Sequence, residues 1–299
     1  VALKGLPDIN STYMHFEVQT LSTNRKDLEK IPTYPFSEKK HLKIPTNISQ
    51  LGIVTFKGKF NGYINDFVSD GTFNTALGKV FTDLQMHIDT VKDVVSYKGK
   101  LVTNNFYLGR LAGNPDVGAI SINSNIKGKG LTLKDLDAEL VGVINNISYK
   151  NYAYQNITLN GNVKKKIFKG KFVMKDNNAD LDFDGKIDLN NKIPDIDFIS
   201  TINKLNLKRL GLINTKLDGV LSSQLFITLK GDNIDNLTGE INFDNTIYKT
   251  EEKEHKISSF DLKLDQVAID KSIKLNSNIF NLTVNGPFKL SNLGGAFKQ

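Results

Sequence analysis

The chain has 299 residues, a formal net charge of +7, a mean hydropathy of −0.28 and no cysteine. Disulfides and thiolate metal sites are excluded outright, and the lack of an apolar run near 18 residues excludes a helical membrane span. The 39 basic side chains are interleaved with 32 acidic ones, with no basic helix and no aromatic run of the kind that stacks on RNA, so the charge reads as a solvated outer face and no nucleic acid is expected as a partner.

Residues 1–50 differ from the rest. Tyr13 to Val18 reads as one strand, and Arg25 to Lys30 as a short helical turn after Ser22 and Thr23. Pro32, Pro35 and Pro45 then punctuate a polar, lysine-rich stretch, and proline interrupts β-ladders. Residues 1–50 are therefore expected to hold an N-terminal strand plus a Pro-rich connecting segment, with 31–50 a loop or edge crossing. The chain opens on Val1, and it is read as a processed or excised piece of something longer.

From Leu51 onward the pattern is strand, tight turn, strand. Asp180-Leu181-Asp182-Phe183-Asp184 alternates charged and apolar residues. Leu225 to Lys230, Glu240 to Asp244 and Phe260 to Asp265 keep much the same beat. Period two marks a strand with one apolar and one wet face. Gly62, Gly71, Gly78, Gly99, Gly128, Gly130, Gly161, Gly170, Gly185, Gly219, Gly231 and Gly239 are expected at turns or bulges, and Gly113-Asn114-Pro115-Asp116 and Asp176-Asn177-Asn178 as turns.

The chain also echoes itself. Residues 118–162 resemble 219–265: Gly118-Ala119-Ile120-Ser121 answers Gly219-Val220-Leu221-Ser222, Lys127-Gly128 answers Lys230-Gly231, and Tyr149 answers Tyr248, at offsets of about 100 residues. A second echo links Phe56-Lys57-Gly58-Lys59-Phe60, Tyr97-Lys98-Gly99-Lys100-Leu101 and Phe168-Lys169-Gly170-Lys171-Phe172. Stacked repeats extend one another's apolar stripe. Some twenty strands at roughly 4.8 Å spacing would run to about 100 Å. Such a sheet twists, and curling into a trough covers its apolar face in part. The expected fold is all-β, an elongated, curled repetitive sheet over 51–299, open as a trough with an apolar interior face.

No catalytic constellation is visible. His15, His41, His87 and His255 lie far apart, none at metal-ligand spacing, and His87 reads as a wet-face strand residue. Asp180, Asp182 and Asp184 resemble the start of a calcium loop, but position twelve is Asn191 where a glutamate is needed, so the strand reading is preferred. No nucleophile elbow, phosphate loop or dinucleotide fingerprint occurs. An enzyme, a metal and a cofactor are not expected. The apolar stripe is left with two readings, a sandwich core or a conduit for lipid tails. On pattern alone they are even.

The stretch Phe56-Lys57-Gly58-Lys59-Phe60 with Gly62, Asp66-Phe67, Gly71, Thr75 and Gly78 resembles the TamB branch of the AsmA-like family of bridge-like lipid transfer proteins. So do Leu181 to Leu189 followed by Leu207-Lys208-Arg209-Leu210-Gly211-Leu212, and Leu217-Asp218-Gly219-Val220-Leu221 leading to Lys230-Gly231 and Asp235 to Ile241. The resemblance implies a β-taco, an inner-membrane anchor through a segment not in this chain, a place in the bacterial periplasm, and an outer-membrane assembly barrel as partner at the far end. It implies roles in phospholipid transfer between the membranes and in outer-membrane protein assembly, and it carries no motif of binding residues.

Alternation alone supplies the candidate lining: Leu181, Phe183, Ile187, Leu189, Leu225, Ile227, Leu229, Ile241, Phe243, Phe260, Leu262 and Leu264, facing phospholipid acyl chains. A charge at Phe183 or Ile227 is expected to stop tail passage while leaving the sheet folded. The competing architectures are an outer-membrane β-barrel and a carbohydrate-binding β-solenoid or adhesin. The absence of tryptophan and of aromatic clusters at strand ends speaks against the barrel. The long period speaks against the solenoid.

Overall fold

The computed structural model describes residues 2–6, 11–30, 46–89, 91–92, 94–130, 135–190, 193–212 and 218–291. Most of the Pro-rich stretch expected as a loop, 31–45, lies outside them. The chain is all-β and antiparallel, with seventeen strands among the described residues. It divides into two units, Val1–Asn160 and Gly161–Gln299.

The first unit holds β1 (Ala2–Lys4), β2 (Tyr13–Thr23), β3 (Val54–Tyr63), β4 (Asp66–Thr75), β5 (Gly78–Asp89), β6 (Val94–Phe106), β7 (Val117–Lys129) and β8 (Asp137–Tyr149), each laddered antiparallel to the next. The strand β9 (Tyr152–Lys164) crosses the division. The expected helical turn is α1 (Arg25–Leu28), and its cap is Asn24 rather than Ser22 or Thr23. The Asn24 side chain accepts from the Asp27 backbone N–H at 3.1 Å, satisfying one orphan donor of the first turn. A short helix α2 (Leu108–Ala112) ends in Gly113 at φ 68, the left-handed stop that glycine takes without strain. Beside it, Leu108, Leu111 and Leu51 close over Leu77, Phe106, Ile120 and Ile122, a cluster of buried core residues.

The second unit holds β10 (Ile167–Lys175), β11 (Ala179–Asp188), β12 (Asp195–Leu205), β13 (Gly219–Lys230), β14 (Thr238–Thr250), β15 (Glu254–Val267), β16 (Asp270–Ser277) and β17 (Asn281–Gly286). Each again pairs antiparallel with its successor. The Asp176–Asn178 turn forms as expected, with the Asn178 N–H donating to the Asp176 carboxylate at 2.8 Å.

The echoing segments occupy β7–β9 and β13–β15, and their irregularities recur. The β6–β7 ladder slips between Thr103 and Phe106, and the β12–β13 ladder between Ile202 and Leu205. The β8 bulge leaves Asn145 without a partner on β7, and the β14 bulge holds Asn245 at φ 50. Bulges bend a strand and re-aim its side chains, so their recurrence repeats a local shape as well as a composition.

Several glycines expected at turns sit elsewhere. Gly71, Gly128, Gly170 and Gly185 lie inside strands, on the apolar face. Their role is close approach: Gly58 faces Gly71 across β3–β4, and the Phe56 ring lies over both, where a Cβ at Gly58 would come within 2.9 Å of it. Aromatic rings folding over strand glycines restore the apolar contact that glycine itself lacks.

Candidate lipid-contact face

In the second unit, cross-strand register decides which side chains meet. One row runs Phe168, Ile187, Ile196, Leu229, Gly239, Leu264, Ile273, Val284. The next runs Gly170, Gly185, Phe198, Ile227, Ile241, Leu262, Leu275, Leu282. A third runs Phe172, Phe183, Ser200, Leu225, Phe243, Phe260, Ser277. Residues two apart on a strand share a face, so the three rows make one apolar surface that reaches every strand from β10 to β17.

All the candidate lining residues except Leu189 fall in these rows or beside them, Leu181 pairing with Met174 and Ile202. Leu189 lies past the end of β11 and is exposed. The same face carries residues that alternation missed: Phe168, Phe172, Phe198, Ile196, Ile273 and Leu275. Gly170, Gly185 and Ser200 break the beat there, and only the Phe-Lys-Gly-Lys-Phe echo pointed to Phe168 and Phe172.

The face is not uniformly covered. Most of its members are half-buried. Phe183, Ser200, Leu264 and Ile273 are buried, and Phe183, at 6% exposure, is stacked on Phe172 at 4.7 Å and 7°, with Phe198 at 4.8 Å and Phe168 at 6.2 Å. This argues against the expectation that a charge at Phe183 leaves the sheet folded, because a carboxylate there would be enclosed by three aromatic rings. Ile227, half-buried between Phe198 and Ile241, is the position expected to accept such a probe.

The opposite face is wet and charge-paired. Lys171 meets Asp184 at 2.7 Å and Lys263 meets Glu240 at 3.0 Å, each across a ladder. The hydrogen bond to its carboxylate raises the pKa of each lysine. Asp180 bonds Lys175 at 2.6 Å and Asn203 at 3.1 Å, which lowers its pKa. Asp182 and Asp184, weighed above as calcium ligands, are exposed strand residues on this side. Such exposed pairs set register more than stability.

The first unit presents a comparable face. Phe16 packs on Phe60 at 5.9 Å, Phe60 stacks on Phe67 at 4.5 Å, and Phe56 meets Phe73 at 4.7 Å. Tyr97 lies on it, buried, donating its hydroxyl to the Gly130 carbonyl at 3.1 Å, and burial raises its phenol pKa. His87 is exposed on the other face of β5, 3.7 Å from Asp66. Among the described residues no group of three or more His, Asp and Glu is close enough to hold a metal ion, and no helix is long and apolar enough to cross a membrane.

Comparison with known protein families, with curated proteins and with solved structures returns no match.

Proposed function

We propose that the apolar face of β10–β17 carries phospholipid acyl chains, and that the chain is a segment of a TamB-like envelope protein. The supporting observation is the continuity of the apolar rows across successive strands, with most side chains neither sealed in a core nor fully in water. Seven strand spacings by two row spacings make a patch of roughly 450 Å². Contiguous apolar patches above a few hundred Å² mark interaction sites.

The physical task needs no covalent step. Each exposed CH₂ costs about 0.8 kcal/mol, so a sixteen-carbon tail in water costs on the order of 10 kcal/mol. A half-covered apolar row removes much of that cost and leaves the tail free to slide, because no polar group fixes its position. In this reading the protein works in the bacterial periplasm, anchored to the inner membrane through a segment outside this chain. An outer-membrane assembly barrel is its partner, and it serves lipid transfer, outer-membrane protein assembly or both.

The reading is tested with Ile227→Asp. A photo-crosslinking residue at Phe168 and another at Leu275 flank the altered position. With a charge between them, lipid crosslinking at one flank is expected to fall several-fold relative to the other while the circular dichroism spectrum is unchanged. Equal crosslinking at both flanks, as strong as in the parent chain, contradicts the conduit.

A further inference from the structure

We infer that, in the second unit, acyl chains reach the apolar face from the strand ends that carry the β9–β10, β11–β12 and β15–β16 turns, and that the Lys164–Lys166 turn meets an anionic phospholipid headgroup there. This rests on the conduit reading above.

The two ends of the strands differ. At the far end of β10–β12 the face is closed. Met174, Ala179 and Ile202 are buried, and the β12–β13 connection folds Leu210 in to 1% exposure. That connection is pinned by Asn206, also buried, whose side chain donates to the Asp218 carboxylate at 2.6 Å and accepts from the Arg209 N–H at 2.9 Å. At the near end Ile187, Ile196 and Leu229, on the strands beside the lysine turn, are only half-buried, while Leu264 and Ile273 further along the same row are buried. Beyond them Leu189 and Ile193 are 49% and 44% exposed, and Val267 and Ile269 are 78% and 75% exposed.

Aliphatic side chains are poor turn residues, since glycine, asparagine and aspartate suit turns better. Leu189, Ile193 and Ile269 nevertheless stand exposed in turns along one end of the strands, a cluster of apolar side chains suited to meeting apolar matter. The lysine turn adjoins Leu189 directly, the Leu189 N–H donating to the Lys166 carbonyl at 3.0 Å. Lys165 sits at φ 55, where glycine or asparagine would be at ease. The nearby carboxylates Asp188 and Asp195 lie 3.3 and 3.7 Å from Lys186. Apolar tips beside clustered lysines complement a molecule with an oily tail and an anionic head. Leu212, Ile279 and Phe280 are exposed at the far end, where the described cations nearest Leu212 in sequence are the pair Lys208 and Arg209.

The absence of cysteine makes the test direct. Lys165→Cys and Asn177→Cys place one fluorophore at each end of the strands. The protein is loaded from phosphatidylglycerol vesicles carrying a nitroxide on the headgroup. Quenching at position 165 is expected to exceed that at 177 several-fold, and equal or reversed quenching overturns the inference. Changing Lys164, Lys165 and Lys166 to Gln is expected to lower phosphatidylglycerol occupancy relative to phosphatidylcholine, at up to about fivefold per lysine. An unchanged ratio overturns the headgroup assignment. So does inorganic phosphate alone displacing the quencher from position 165, which would mark a free-anion site. If no lipid is retained at all by the parent chain, the conduit reading fails first, and the inference with it.

Discussion

Phe183→Ala is expected to lower the unfolding free energy by about 3–5 kcal/mol, the range for deleting a buried aromatic side chain. Phe183 sits where three other rings converge, Phe172 and Phe198 within 5 Å and Phe168 a little further. Its neighbour two residues on is Gly185, and Gly185 faces Gly170. Neither glycine has a side chain that could collapse into the space left behind, so the cavity term stays high. Ring pairs of this geometry add about 0.5–1.5 kcal/mol beyond area burial. Urea titration followed by circular dichroism measures the loss, and hydrogen exchange on β10–β12 amides localises it. An unchanged urea midpoint would mean that this aromatic cluster does not hold the second unit together.

Gly99→Ala is expected to cost on the order of 3 kcal/mol, from backbone strain and overpacking together. Gly99 has φ +147, and a Cβ there would overlap the Asp83 carbonyl oxygen on the neighbouring strand, with the Leu84 Cα only 3.1 Å away. Both obstacles are backbone, so no side chain can swing aside. Gly113 supplies the control. It too has positive φ, at +68, but nothing lies within 4 Å of its Cβ position. Gly113→Ala is therefore expected to cost only about 1 kcal/mol, the strain of the left-handed backbone alone. Thermal melts of the two variants measure the difference, and equal destabilisation would show that crowding at Gly99 is not what selects glycine there.

The strands were legible because alternation is a local signal. Asp180 to Asp184 and Leu225 to Lys230 carry it without interruption, and both lie in strands with the expected faces. Register was not legible, because it depends on which strand lies alongside, and sequence spacing says nothing of that. The pairing of Ile227 with Phe198 and Ile241 converts separate stripes into continuous rows. Glycine was misread for a related reason. In sequence a glycine signals freedom of φ, whereas Gly58, Gly71 and Gly185 are used for the absence of a Cβ, and the overlying Phe56 and Phe198 side chains identify that use. Phe183 was read as equivalent to its neighbours along the stripe. Its burial comes from Phe172 and Phe198 on adjacent strands, contacts that alternation within one strand does not encode.

Leu189 marks the limit of the periodic argument. It keeps the parity of Leu181, Phe183 and Ile187, but the strand ends at Asp188, and parity has no meaning beyond a strand. It stands exposed beside the lysine turn, at the strand ends from which acyl chains are proposed to reach the apolar face.

Native mass spectrometry of the purified chain tests the lipid-conduit claim most directly. Spectra taken from detergent-free preparations are expected to show the folded chain carrying phospholipid that survives transfer to the gas phase and dissociates on collisional activation. A folded chain with no bound lipid, after incubation with phospholipid vesicles as well as directly from purification, would contradict the claim.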